Sequence, residues 1–231
     1  MITLKEDHVA TWFDYRFSEA DDVEAVYGDP GPVFRDALER LPRSAAHAVD
    51  VACGDGRYAI PMAQAGLEVT AYDFLPVALE RVRKRAQSAG CASRISVERK
   101  RVSKLPDAEG NQDFVVCGSC NLHLWGREQA TDALEWFERA IGNEGVLFVC
   151  VSSNIKRVLP TGEKFKYDTE ADYSKDEALE LIEDYFESWD YSEVHTRRLE
   201  EEWDIPHKLR EKLGSDNYRR TEEEITLVAE K

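Results

Sequence analysis

The chain has 231 residues, a formal net charge of −16, and 42% hydrophobic and 33% charged residues. That hydrophobic share suffices for a core and excludes wholesale disorder, while the acidity argues against a nucleic-acid partner, whose phosphates need basic side chains. No apolar run approaches the ~20 residues of a membrane span, and Met1 to Asp7 lacks the basic-then-apolar pattern of a signal peptide, so the expectation is a cytoplasmic protein with no membrane partner.

In chain order, the aromatic segment Thr11-Trp-Phe-Asp-Tyr-Arg-Phe17 comes first, about 30 residues ahead of the first core strand. His47 to Ala52 reads as a short buried strand, Gly54-Asp-Gly56 breaks it, and Arg57 to Ala65 reads as a helix stopped by Gly66. Leu67 to Tyr72 alternates like a strand and ends at Asp73. A helix follows to about Ala89, opened by Pro76 in its first turn. Its Val77, Leu79 and Val82 mark an apolar face, and the basic cluster at 81–85 marks the opposite one. Ile95 to Val97 and Asp113 to Cys117 are the next strands, then a helix over 128–141, a turn at Gly142-Asn-Glu-Gly145 and a strand over 146–151. Strands alternating with helices in this way predict an α/β fold with a doubly wound, mostly parallel sheet. Ser174 to Phe186 is an amphipathic helix with a capping box in Ser174 and Glu177. Trp189 to Thr196 and Glu222 to Glu230 are strands expected to pair antiparallel at the sheet edge. The stretches Lys156–Asp172 and Leu199–Asn217 read as inserted loops near the functional end.

Residues 160–231 hold 22 acidic against 11 basic side chains, with a local run at Glu200-Glu-Glu202. The plain reading is a solvated face; an acidic rim for a cationic substrate is the other. Five cysteines, an odd number, argue against a disulfide framework. Cys117-Gly-Ser-Cys120 lacks the second pair that a zinc site needs, and the five histidines (8, 47, 123, 195, 207) show no ligand spacing. No metal is expected.

Asp50-Val-Ala-Cys-Gly-Asp-Gly56 is the most informative segment. Gly54 and Gly56 let the backbone turn sharply and pass close to a ligand. Asp73 lies 17 residues beyond Gly56, at the end of the next strand, where a carboxylate can accept hydrogen bonds from a ribose diol. Phe74 beside it can lie against an adenine ring. A nicotinamide dehydrogenase fits less well, because Tyr58 or Ala59 stands near the place of the third glycine that a pyrophosphate requires.

Val49-Asp-Val-Ala-Cys-Gly-Asp-Gly-Arg57 followed by Val69-Thr-Ala-Tyr-Asp73 resembles the first two motifs of class I S-adenosylmethionine-dependent methyltransferases. The resemblance runs over roughly 45–151. It implies a Rossmann-like, seven-stranded sheet with an antiparallel C-terminal strand, and S-adenosyl-L-methionine as cofactor. It implies cofactor contacts from Asp50, from the turn at Ala52, Cys53, Gly54 and Gly56, and from Asp73 and Phe74. Arg101, Val102, Cys117 and Gly118 complete that set. Two departures stand out. Ala52 replaces the first glycine of the pattern, and Lys100-Arg-Val-Ser-Lys104 lacks the acid that members often place there for the adenine amino group. The expected organisation is one domain over 1–231, with a helical lid segment over 1–44, a cofactor-binding core over 45–152, and a C-terminal part over 153–231 carrying substrate-side loops and edge strands.

The C-terminal region resembles the tellurite-resistance and thiopurine methyltransferases. Tyr27-Gly-Asp29, Val51-Ala-Cys-Gly54 and Ser119-Cys-Asn-Leu-His-Leu124 resemble glycine N-methyltransferases. Both imply a small-molecule methyl acceptor, an amine, thiol or similar soft nucleophile. Trp12 and Tyr15 are candidates to offer π faces to the sulfonium, and Arg16 to hold a substrate carboxylate. His123 is the candidate general base on the acceptor side. The alternatives are an RNA-modifying methyltransferase, which calls for a basic surface, and a non-catalytic protein that binds the same nucleoside. The sequence leaves the oligomeric state open.

Overall fold

The computed structural model describes residues 1–20, 25–118, 122–189 and 191–231. The strands are β1 (Ile2–Leu4), β2 (His47–Val51), β3 (Glu68–Asp73), β4 (Ile95–Arg99), β5 (Gln112–Cys117), β6 (Ile141–Val158), β7 (Lys164–Tyr167), β8 (Tyr191–Asp204) and β9 (Asn217–Glu230). The helices are α1 (Glu6–Glu19), α2 (Pro32–Arg40), α3 (Ala59–Gln64), α4 (Pro76–Ser88), α5 (Gly126–Ala140), α6 (Lys175–Phe186) and α7 (His207–Leu213).

The nine strands of the described residues join one sheet. Its seven-stranded body runs β4-β3-β2-β5-β6-β9-β8, with β9 antiparallel to both neighbours and the first five strands parallel. The two further strands are short. β7 pairs antiparallel with the far end of β6 (Arg157 opposite Phe165), and β1 pairs parallel with β7.

Period-two alternation along each strand builds the two cores. Ala48, Phe114, Val116, Val146, Phe148 and Val228 face one side, against Phe34 of α2, Ile60 and Met62 of α3 and Leu79 and Val82 of α4. Val49, Val115, Leu147, Val149, Leu227 and Ala229 face the other, against Leu134 and Phe137 of α5 and Ile182 and Phe186 of α6. Helices on both faces are the doubly wound arrangement. The Ser174 capping box forms: its hydroxyl accepts from Glu177 N–H, and the Glu177 carboxylate accepts from Ser174 N–H at 2.9 Å.

Three expectations change. The stretch 156–172 is not a loop throughout, since β6 continues to Val158 and the chain returns as β7. The stretch 199–217 is largely regular too: β8 runs on to Asp204, α7 follows, and β9 begins at Asn217. Charged side chains on alternate exposed positions conceal the strand pattern there. The buried alternates, Trp203 and Tyr218, join Trp12, Phe165, Ile205 and Leu209 in a separate third cluster. Finally, the basic cluster of α4 is not one solvated face: Arg81 is 2% exposed and reaches inward to the Phe17 and Ala20 carbonyls of the N-terminal segment.

Phe114 is fully buried at the centre of the sheet, with its ring 5.8 Å from that of Phe34. Phe114→Ala is expected to cost about 3–5 kcal/mol, read as a lower urea midpoint with an unchanged slope.

Candidate active site

A cleft of about 460 Å³ opens above the carboxyl ends of β2 and β3, the place where ligands bind in such sheets. Its floor is the turn that follows β2. Ala52, Gly54 and Gly56 all take left-handed backbone, at φ 57°, 54° and 81°. Ala52 is the costly one, because its Cβ opposes that conformation. The turn is tied down by hydrogen bonds on several sides. Cys53 N–H donates to the Tyr72 carbonyl at 2.9 Å. Gly54 N–H donates to Asp73 Oδ2 at 3.0 Å, and Leu75 N–H donates to Asp73 Oδ1 at 2.9 Å. Asp50 Oδ2 accepts from Ala59 N–H at 3.0 Å, where α3 begins. A Cβ placed on Gly54 would lie 3.2 Å from the Phe17 ring, so a side chain there would crowd the α1 aromatic that packs onto the turn.

Asp73 lines the cleft and is 7% exposed. Backbone N–H groups reach both of its oxygens, and lone pairs remain for further donors. Burial raises its carboxyl pKa, opposed by the N–H donors from Leu75, Gly54 and Phe74. Phe74 lines the cleft beneath the Arg101 guanidinium, which stands 5.1 Å from its ring centre. Val102 and Leu105 form the neighbouring apolar wall. These groups fit a nucleoside without phosphates: an apolar slot at Phe74 and Val102, a carboxylate acceptor at Asp73, and a glycine turn open to close approach.

Of the residues expected to touch the cofactor, Ala52, Cys53, Gly54, Asp73, Phe74, Arg101 and Val102 line the cleft. Asp50, Gly56, Cys117 and Gly118 stand behind its wall. Asp50 shapes the turn from below. Gly56 faces Val82, 3.3 Å from where a Cβ would sit. Gly118 is pressed under Tyr58, whose hydroxyl donates to the Gly118 carbonyl at 2.7 Å and whose ring leaves no room for a Cβ. Cys117 is fully buried, and burial pushes its thiol pKa well up. Ser119, Cys120 and Asn121 of the two motifs noted there lie outside the described residues. Among the described residues no group of three or more metal-ligating side chains occurs.

The acceptor-side expectations are placed differently. Trp12 is 3% exposed, stacked on Phe165 and edge-on to Tyr218 in the third cluster. Tyr15 meets His207 edge-on. Arg16 lies 4.6 Å over Trp203 and 5.7 Å over Tyr27. None of the three lines the cleft; Phe13, Phe17 and Tyr27 do. The helix explains the exchange. Residues four apart share a face, so Phe13 and Phe17 look toward the turn while Trp12 and Arg16 look toward β7 and β8. His123 is 1% exposed and also behind the wall, although Leu124 and Trp125 line it. Its carbonyl accepts from Ala171 N–H, and its Nε2 stands 3.7 Å from Glu170, which Arg157 clasps with two bonds of 2.7 and 2.9 Å.

Sequence reasoning passed over Asp55. It is 1% exposed, accepts from Val26 N–H at 2.8 Å, and faces Arg85 at 3.3 Å and Arg81 at 3.9 Å. Arg81 in turn donates to the Phe17 and Ala20 carbonyls. The glycine turn is thereby latched to the N-terminal segment that walls the cleft. The spacing of Arg81 and Arg85, one helical turn apart on an otherwise apolar face, was the available signal.

Residues 48–145 match a family model described as a methyltransferase domain. Over that stretch the chain carries a methyltransferase domain. A search of curated proteins by sequence finds no match. Among solved structures, phosphoethanolamine N-methyltransferase 2 of Haemonchus contortus, in complex with phosphomonomethylethanolamine and S-adenosylhomocysteine, is similar with a TM-score of 0.60 and 13% identity, over 95% of this chain and 56% of that one. TehB of Haemophilus influenzae is similar with a TM-score of 0.59 and 14% identity, over 86% of this chain and 61% of that one. A methyltransferase of Methanosarcina mazei gives 0.55 and 14%, over 88% and 98%.

Two predictions follow from the floor of the cleft. Removing one member of a buried ion pair costs about 3–5 kcal/mol. Asp55→Asn is expected to destabilise on that scale in urea and to speed amide exchange along α1. Arg83→Gln, on the exposed side of α4, is expected to change stability by less than ~0.5 kcal/mol. The second concerns Asp50. Burial, then repulsion from Asp73 and Asp55, holds its carboxyl well above the usual range. The folded protein therefore keeps this proton when the unfolded chain has lost it. The contribution is complete below the unfolded value of about 3.9 and is lost as pH rises through the folded value. In urea titrations without donor, the stability of Asp50→Asn relative to the parent is expected to improve steadily as pH rises above about 4.

Proposed function

We propose that the methyltransferase transfers the methyl group of S-adenosylmethionine to a small-molecule acceptor, an amine, thiol or similar soft nucleophile, in the cytoplasm. One observation carries this reading. The cleft that starts at the glycine turn and Asp73 is bounded on its far side by Phe13, Phe17 and Tyr27, and its 460 Å³ is the size of a single ligand pocket rather than of a groove for a polymer. The net charge of −16 agrees, since a polyanionic acceptor calls for a basic surface. Among the described residues no helix is long and apolar enough to cross a membrane.

In this reading Asp73 accepts the ribose hydroxyls, Phe74 and Val102 flank the adenine, and the turn over 52–56 receives the methionine end with Asp50 holding its shape. When bound, the donor supplies an electrophilic methyl on a sulfonium that departs as a neutral thioether. Phe13, Phe17 and Tyr27 exclude water and turn π faces inward, which suits a cation. Positioning and desolvation then supply most of the rate. Trp12, Tyr15 and Arg16 act one layer back, holding α1 and Tyr27 in place. His123 supports the Arg157–Glu170 pair and, through Leu124 and Trp125, the wall beside the acceptor.

The test combines binding and turnover. Calorimetry is expected to show the donor binding the parent, with Asp73→Ala weaker by about tenfold or more, because a hydrogen bond to a charged group contributes about 1.5–3 kcal/mol. A panel of thiols, amines and phenols is expected to yield S-adenosylhomocysteine with at least one acceptor. Equal affinity in Asp73→Ala removes the assigned ribose contact. Retention on heparin at moderate salt, with methylation of RNA and of none of the small acceptors, replaces the reading by the RNA-modifying one.

A further inference from the structure

The run Glu200-Glu-Glu202 has no role in the methyl-transfer site, yet it sits in an unusual place. It lies in β8, which pairs with β9 alone among the described residues, so its other edge presents a row of backbone donors and acceptors. Thr196, Arg197, Arg198, Glu200, Glu201 and Glu202 are all exposed on that strand. Around Leu199 the order is two arginines on one side and two glutamates on the other. Charge along this edge is therefore antisymmetric about Leu199.

That pattern has a geometric consequence. A two-fold axis through Leu199, perpendicular to the sheet, sets a second β8 antiparallel to the first and keeps each side chain on its own face. Arg198 then meets Glu200 of the second copy and Arg197 meets its Glu201, each twice by symmetry. Opposite charges directly across antiparallel strands attract and like charges repel. The neighbouring register extends the order inward. Arg197 stands opposite Glu224 of β9 and Glu201 opposite Arg220, so one row across four strands reads Glu224, Arg197, Glu201, Arg220, alternating in sign throughout. On the other face Arg198 stands opposite Glu223, and Glu200 meets Arg219 at 3.7 Å. Other registers do worse. An axis at Arg198 sets that arginine against itself, an axis at Glu200 does the same to that glutamate, and an axis at Glu201 sets Glu200 against Glu202.

We propose that the outer edge of β8 pairs with the β8 edge of a second copy of this chain, forming a two-fold dimer with one continuous sheet centred on Leu199. The interface is isologous and closes on itself, so it yields a dimer and not a fibre. Charge on an edge strand ordinarily discourages pairing; here it discourages every register tested except one.

Size-exclusion chromatography with light scattering on the full chain reads the outcome. The parent is expected at twice 26.4 kDa, falling toward 26.4 kDa on dilution. Arg197→Glu with Arg198→Glu is expected to halve the mass, as is Glu200→Arg with Glu201→Arg. Mixing the two double variants is expected to restore the doubled mass, because every pair in the mixed dimer is again opposite in sign. Should either double variant unfold in circular dichroism, Arg198→Gln and Glu200→Gln decide instead, each raising the dimer dissociation constant several-fold. A parent that is monomeric at all concentrations overturns the proposal. So does a dimer indifferent to these substitutions, or a mixture that stays monomeric.

Discussion

Everything at the cleft depends on a turn that the backbone does not adopt willingly. Three of the five residues from Ala52 to Gly56 are left-handed, one of them an alanine. Three buried aspartates hold them there, each accepting a backbone N–H: Asp73 from Gly54, Asp50 from Ala59 and Asp55 from Val26. Their crowding has an electrostatic cost. Asp50 feels Asp73 and Asp55 on top of its own burial, and the Cys53 thiol among them is pushed well up by burial and by all three. Only Asp55 has basic partners close by, in Arg81 and Arg85. The raised Asp50 pKa is how the fold relieves that crowding: its carboxyl keeps a proton where an exposed one would lose it.

The same turn explains why this half of the cleft was legible in the sequence. Its parts are local: two glycines, an aspartate ending each of two adjacent strands, and strands whose alternation can be read directly. The parallel body of the sheet followed for the same reason, with β2, β3, β5 and the first half of β6 close to their expected bounds. The other wall was not legible, because it is assembled from distant pieces. Whether Trp12 or Phe13 faces the cleft depends on the rotation of α1 about its axis, which Arg81 fixes from 64 residues away by binding the Phe17 carbonyl. His123 looked available next to a strand end, but the return of the chain through β7 covers it with Glu170 and Arg157.

Charge composition misled in an instructive way. The stretch 199–217 read as an inserted loop, since a run of three glutamates carries no period-two signal. The period is nevertheless present once the flanks are included: Trp203 is buried while Glu202 and Asp204 are exposed, and Tyr218 is buried while Asn217 and Arg219 are not fully so. At Glu200 to Glu202 both faces of β8 are exposed, so the run conflicts with nothing in the strand. Buried arginines complete the picture. Arg157 lies on the Tyr167 ring and holds Glu170 inside the first stretch that read as loop, and Arg220 lies on the Trp203 ring and holds Glu222 just beyond the second.

The division between the two halves of the cleft coincides with the division in the comparisons. The match to the methyltransferase family covers 48–145, which contains the turn, Asp73, Phe74 and Val102. Phe13, Phe17, Tyr27 and Thr169 also line the cleft and fall outside it. So does the whole third cluster, where α1 packs on β1, β7 and the extended ends of β8 and β9. Among these outer elements, α1 meets the body through the Asp55–Arg81 latch and through Phe17 packed with Leu75 and Ala78, while Glu170 meets it at His123. The outer wall can therefore vary while the floor of the cleft stays as it is. The latch is the point at which such changes reach the floor, because the residue that fixes α1 also neutralises the charge in the middle of the turn.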